Sequence, residues 1–446
     1  MPRGIRFTGV LNVAALESAL NGIIARHEIM RTSYEAEKGE PFQVIAPERK
    51  VPLPVIDLSD LPEAERESEA RKLVHQETST PFDLAKDPIA RHVLVKMGGE
   101  DHILVLLTHH IASDGWSTGV LLRELTALYE AALLGKPSEL PELPIQYADY
   151  AVWQRNWLQG EVLAQQLAYW KQQLEGAPPV VSLPTDRPRP EKPSFRGVMH
   201  RFLLPPTLSD AVRTLSRQQG GTAFMTMLAA FQTLILHYTK QPDIVLGTDL
   251  ANRTTVQTEA LIGFFVNLLA LRTDLSGDPT FTELLGRVRE VALGAYAHQD
   301  VPFDKLVLEL QPERSLSHNP IVQVLFVYLN TPQTAAPMPG LEMTEYRLEA
   351  PSKFDMAVFV SETDKGVSGI WHYNPDLFDA STIARMVGLY QSVLEKATAN
   401  PDARLSELLE LLAVEDQQHR ASLHKEFQEL SLQKLKSVKR KTITRE

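Results

Sequence analysis

Cysteine is absent from all 446 residues, so a disulfide framework, a thiolate metal site and a cysteine nucleophile are excluded. Long apolar runs are missing too. No stretch approaches the roughly 20 residues that a membrane-spanning helix needs, and Met1 to Thr8 lack the apolar core of a signal peptide. The expected setting is therefore cytoplasmic, with no membrane partner. There is no Gly-x-x-x-x-Gly-Lys to cradle a phosphate and no Gly-x-Ser-x-Gly to present a serine nucleophile. Positive charge is in deficit: 45 Lys and Arg face 56 Asp and Glu, a net charge of -11, which argues against nucleic acid as a partner. Basic residues gather only at the C-terminus, at Lys434, Lys436, Lys439, Arg440, Lys441 and Arg445. That stretch, within residues 421–446, reads as a solvated tail or linker, with a docking strip for a carrier protein or neighbouring domain as the other reading.

What is present describes a globular protein, with 43% hydrophobic and 23% charged residues. The length exceeds one ordinary domain, so two lobes are expected. Leu16, Leu20, Ile23 and Ile24 form a helical stripe that Asn12 can cap. Ile103 to Leu107 read as a buried strand running into Thr108-His109-His110. Leu121, Leu125, Leu128 and Ala132 form a second helical stripe that stops near Gly135. Pro178, Pro179, Pro184, Pro188, Pro190 and Pro193 then rule out regular structure over 176–193, which becomes the connection between lobes. The pattern restarts with a strand near Val198–Leu204 and a helix presenting Phe224, Leu228, Phe231 and Ile235. Strands near Ile244–Leu246 and Leu268–Arg272 and a helix around Leu284–Ala295 follow. Further strands are expected near Ile321–Leu329, Met356–Val360 and Val367–Tyr373. The fold class is α/β, with lobes over 1–175 and 194–420 in tandem.

The segment with chemical content is His109-His110-Ile111-Ala112-Ser113-Asp114-Gly115-Trp116-Ser117. Neighbours at the end of a strand face opposite ways, so one histidine is expected to face a cavity and the other the lobe interior. Gly115 would let a substrate approach the backbone. A buried Asp114 would need a cationic partner, an arginine above all. His-His-x-x-x-Asp has no established metal-ligand spacing, so no metal is expected. Acid–base or positional catalysis by one histidine remains open, and so does a merely structural pair.

The His109-His110-x-x-x-Asp114-Gly115 segment resembles the His-His-x-x-x-Asp-Gly signature of nonribosomal peptide synthetase condensation domains. Arg26-His27-Glu28-Ile29-Met30-Arg31-Thr32, Tyr147-Ala148-Asp149-Tyr150-Ala151-Val152-Trp153 and Ile262-Gly263-Phe264-Phe265-Val266-Asn267 followed by Leu271-Arg272 resemble further blocks of that family. So do His298-Gln299-Asp300-Val301-Pro302-Phe303 running through His318-Asn319-Pro320, and Lys353-Phe354-Asp355-Met356. The blocks stand in the family's order and reach from near residue 1 to about 420. The family's opening Ser/Gln/Trp block has no counterpart before Pro2-Arg3-Gly4. A missing N-terminal piece is expected, which bears on independent activity and on the acceptor-side wall. Leu432 to Arg445 resembles a connector to a further domain.

The resemblance implies two chloramphenicol acetyltransferase-like lobes forming a V around a central tunnel. It also implies peptide-bond formation between a donor acyl or peptidyl thioester and the amine of an acceptor aminoacyl thioester. Both would arrive on the 4'-phosphopantetheine of donor and acceptor carrier proteins, beside adenylation or tailoring domains, with no cofactor bound. By the same resemblance His110 is the catalytic histidine, as base or orienting group, while His109 and Asp114 hold the loop and Gly115 lines the tunnel. Arg253 is nominated as the ion partner of Asp114, with Arg272 second. Trp116, Ser117 and Asn319 are candidates for substrate contact, weighed against loop packing for Trp116 and a structural role for Asn319. Asn267, His298 and Asp355 are read as structural, and Tyr150, Trp153 and Trp157 as core. The missing glutamate block disfavours epimerisation, and the intact histidines disfavour heterocyclisation. A stand-alone acyltransferase using coenzyme A or alcohol acceptors, which shares the motif, stays open. The reading from a different class is a non-catalytic platform that recruits a tailoring enzyme to a carrier protein.

Overall fold

The computed structural model describes residues 1–313, 315, 317–329, 338–348 and 351–437, with side chains as far as residue 421. Its strands, in chain order, are β1 (Pro2–Gly9), β2 (Thr32–Glu37), β3 (Glu40–Ile45), β4 (Val55–Asp57), β5 (Ala90–Lys96), β6 (Asp101–Thr108) and β7 (Val198–Leu203). There follow β8 (Asp243–Leu250), β9 (Asn267–Asp274), β10 (Val324–Leu329), β11 (Leu341–Tyr346), β12 (Met356–Thr363) and β13 (Gly366–Tyr373). They form a five-stranded sheet ordered β11-β1-β6-β5-β4, a six-stranded sheet ordered β7-β13-β12-β10-β8-β9, and the hairpin β2-β3.

In the first sheet, β6 is apolar on both faces because it feeds two cores. Leu104 and Leu106 pack under the helices Val13–Arg26 and Gly115–Leu134, with Leu16, Leu20, Ile23, Val120 and Leu125. Ile103, Val105 and Leu107 face the other way, toward Ala70 and Val74 of the helix Glu63–Ser79. The expected cap is in place, Asn12 accepting from the amide of Ala15 at 3.0 Å. The second stripe ends at Gly135, whose φ of 61° is left-handed and favours glycine.

The second sheet centres on β10, which pairs in parallel with β12 and β8. Its core takes in Phe326, Val358 and Trp371 together with the helix Ala223–Thr239, buried continuously from Phe224 to His237.

Three boundaries differ from the sequence reading. The helix Gly160–Leu174 packs Leu167, Trp170 and Leu174 into the second core, so the first lobe gives way well before residue 175. β11, from the second half of the chain, pairs with β1 in the first sheet from Gly4↔Tyr346 to Gly9↔Leu341. The lobe 194–420 is therefore not self-contained. At the C-terminus, the helix Leu405–Ser437 runs through most of the expected tail. Lys439, Arg440, Lys441 and Arg445 lie outside the described residues. Among the described residues no helix is long and apolar enough to cross a membrane.

Candidate active site

β6 ends at Thr108, and the two histidines stand beyond it on a 3-10 turn, His110–Ala112, with His109 as its N-cap. Strand alternation therefore does not separate them, and both rings line one cavity. This corrects the expectation that one faces the lobe interior.

Their ring nitrogens are held in opposite senses. Nδ1 of His110 lies 2.8 Å from the carbonyl oxygen of Ser113. A carbonyl only accepts, so this nitrogen carries hydrogen and the neutral ring keeps its lone pair on Nε2. Nδ1 of His109 instead accepts from the amide of Ile111 at 3.1 Å. Burial pulls the pKa of His110 below 6.5, with Lys353 acting in the same direction and the Ser113 carbonyl opposing. Burial, above all, and Lys353 lower that of His109 as well. Both rings are thus neutral at pH 7. Phe264 meets the His110 ring edge-on, centroids 5.1 Å apart.

Asp114 caps the helix Gly115–Leu134 by accepting from the amide of Ser117 at 2.7 Å. Its Oδ2 accepts from the amide of Phe265 at 3.0 Å, and Oδ1 lies 3.2 Å from Nη2 of Arg253. These side chains are only 2% and 1% exposed. Arg253 also donates to the carbonyls of Leu261, at 2.7 Å, and Thr258, and its guanidinium lies over the Phe265 ring. The histidine turn of one lobe is thereby tied to the β8–β9 connection of the other. A second tie lies nearby: His27 shares Glu124 with Arg26, at 2.8 and 3.0 Å, and accepts from the amide of Ile262. Arg272, the second nominee, pairs with Asp243 instead.

The cavity has a volume of about 2790 Å³, and His110, Gly115, Trp116, Asp249 and Lys353 are among its walls. A Cβ added at Gly115 would meet nothing within 4 Å, so this position opens onto the cavity. Trp116 lines it as well while donating from Nε1 to the carbonyl of Glu259 at 2.9 Å.

Two expected substrate contacts are corrected. Ser117 is 0% exposed, and its hydroxyl is taken up between Asp114, Gly263 and Arg253; its nearness to the motif in sequence says nothing about which way the helix turns it. Asn319 does not line the cavity and donates to the carbonyl of Lys353 at 2.6 Å. Asn267 bonds the carbonyls of Gln299 and Val301, His298 bonds Gly294, and Asp355 is paired with Arg189. Tyr150 is buried, but Trp153 and Trp157 are 47% and 38% exposed and stack on one another, so they are not core. Among the described residues no group of histidines and carboxylates could hold a metal.

The fold and this turn define a class: α/β proteins of the chloramphenicol acetyltransferase type with a His-His-x-x-x-Asp-Gly segment at the lobe junction. The family model described as Condensation domain matches residues 1–419, and the chain belongs to that family, the condensation domains of nonribosomal peptide synthetases. It is 49% identical over 421 residues to a linear gramicidin synthase from Brevibacillus parabrevis, covering 94% of this chain and 8% of that protein. The chain thus spans a small fraction of the length of such relatives. Among solved structures it is similar to the X-domain from teicoplanin biosynthesis, at 31% identity and a TM-score of 0.82, with 91% of this chain and 92% of the other covered. The same similarity, again 31% with a TM-score of 0.82 and coverage of 92% and 90%, holds for that X-domain in complex with OxyB.

Proposed function

We propose that the chain joins a donor acyl or peptidyl thioester to the amine of an acceptor aminoacyl thioester. Both substrates are presented on the phosphopantetheine of carrier proteins, within a synthetase that also holds adenylation or tailoring domains. The observation that carries this reading is His110: a neutral imidazole with Nδ1–H fixed on Ser113 and its lone pair on Nε2, beside a glycine that opens on a large cavity. The amine nitrogen attacks the thioester carbonyl, and His110 orients that nitrogen and takes its proton as the C–N bond forms. Collapse of the tetrahedral species breaks the C–S bond, and the departing thiolate recovers the proton from His110. No covalent enzyme intermediate is needed. Holding two tethered reactants together contributes beside the histidine, whose acid–base assistance is worth about 10²–10⁴-fold.

The test is an intact-mass assay with chemically loaded donor and acceptor carrier proteins. A mass increase on the acceptor that falls by about 10²–10⁴-fold in His110→Ala is expected. No product across a varied set of donors, with carrier binding retained, would overturn the reading. That outcome would favour a recruitment platform, which the similarity to the X-domain solved with OxyB supports as the second reading.

A further inference from the structure

The register of the second sheet lays one row of side chains along the cavity. Pairing sets Val327 beside Phe359, Phe359 beside Ile370 and Ile370 beside Arg201. On the other side of β10, Leu325 is level with Gly247 of the parallel β8. Two residues further along both strands, Asp249 is level with Val327 and shares its face. All five members of the row line the cavity. Arg201 is answered by Glu345 at 3.0 Å. Asp249 is not answered: its side chain makes no hydrogen bond and no ion pair among the described residues, and burial raises the pKa of its carboxyl to about 6.

The fold gains nothing from this group. An unpaired carboxylate beside apolar neighbours costs stability, and leucine would fill the row without that cost. The carboxylate is also tied to the histidine end of the cavity. Asp249 precedes Arg253 by at most about 14 Å of extended chain, and Arg253 grips Asp114, the cap that follows the histidine turn. A carboxylate without a partner, in a row with Val327, Phe359 and Ile370, suits a cation that visits. An aminoacyl amine has an ordinary pKa of about 8 and enters largely as ammonium at neutral pH.

We propose that Asp249 forms the acceptor-amine subsite, its carboxylate receiving the ammonium group of the acceptor and orienting that nitrogen in the cavity; the ammonium releases one proton to solvent water, and the free amine so formed is the species whose remaining proton His110 takes on attack. This rests on the condensation reading given above. No bond is made or broken at Asp249, so it is a positioning residue that selects amine-bearing acceptors.

Calorimetric binding of two stable probes tests it: valyl-pantetheine amide and isovaleryl-pantetheine amide, which differ only in the amine. The wild-type chain is expected to bind the valyl probe about tenfold more tightly, the gain of one charge-assisted contact. Asp249→Asn should bind both alike, with affinity for the isovaleryl probe unchanged and melting temperature no lower than wild type. A valyl preference that survives in a folded Asp249→Asn overturns the proposal, as does absence of binding by either probe. Asp249→Leu, which suits the apolar row, gives the same reading should the asparagine variant melt early. The measurement needs no turnover. An inactive chain that still prefers the valyl probe would sink the condensation reading and leave the subsite standing; a condensing chain without the preference would sink the subsite alone.

Discussion

His110 works in the form its surroundings impose. Because burial and Lys353 hold its pKa below 6.5, the neutral ring persists as the pH falls through that value. The His110 imidazole, followed by NMR as the pH is lowered, should take up its proton only below 6.5; a midpoint above 6.5 would contradict this environment. At Gly115 the outcome separates folding from chemistry. Since a Cβ there meets no protein atom, Gly115→Ala should melt with wild-type Tm. Yet it places a methyl in the cavity beside the histidine, where misplacement of a reactant by about 1 Å can cost up to 10²-fold. A rate equal to wild type would show that the acceptor path passes elsewhere. An arginine partner for Asp114 could be anticipated because a buried aspartate requires a cation, while the choice of Arg253 over Arg272 was not legible in the sequence. Ser117 was misread because sequence nearness to a motif does not reveal that a hydroxyl is enclosed. Asp249 left no signal, since a single acid at the end of a short apolar strand looks like an exposed terminus until sheet register is known.

Among the elements, β6 and the two helices that cover it were legible from apolar periodicity, and so was the helix Ala223–Thr239. β1 (Arg3, Arg6 and Thr8 among its residues) and the helix Glu63–Ser79, with only Ala70 and Val74 buried, carry too few apolar positions to declare themselves. The join between the histidine turn and the β8–β9 connection is the element contact with the clearest energetic consequence. Asp114→Ala removes a helix cap and strands a buried guanidinium, so chemical denaturation should show a loss of about 3–5 kcal/mol. Adding Arg253→Met should restore part of it, because the uncompensated charge leaves with the arginine. Strictly additive losses in that double-mutant cycle would mean that the pair is not coupled.

At the scale of the whole molecule, the two-lobed α/β plan was legible, but its join was not, since the proline-dense 176–193 follows a helix that already packs in the second core, and neither was the exchange of β11. A strand that returns to the first sheet from between β10 and β12 of the second carries no local mark of its destination. The seam is tight: a Cβ at Gly4 would lie 2.5 Å from the carbonyl oxygen of Tyr346. Gly4→Val should therefore push β11 off β1, and hydrogen exchange should quicken at residues 341–346 while the β8–β9 pair stays protected. Unchanged protection along β11 would show that the seam yields without opening. The same strand sets a clock on biosynthesis. Until residue 341 has left the ribosome, β1 is the open margin of its sheet, with one row of amides and carbonyls unmatched and free to recruit a foreign strand. The first sheet of a nascent chain thus lacks only its fifth strand from residue 108 until residue 346, and its completion waits on the lobe that follows it.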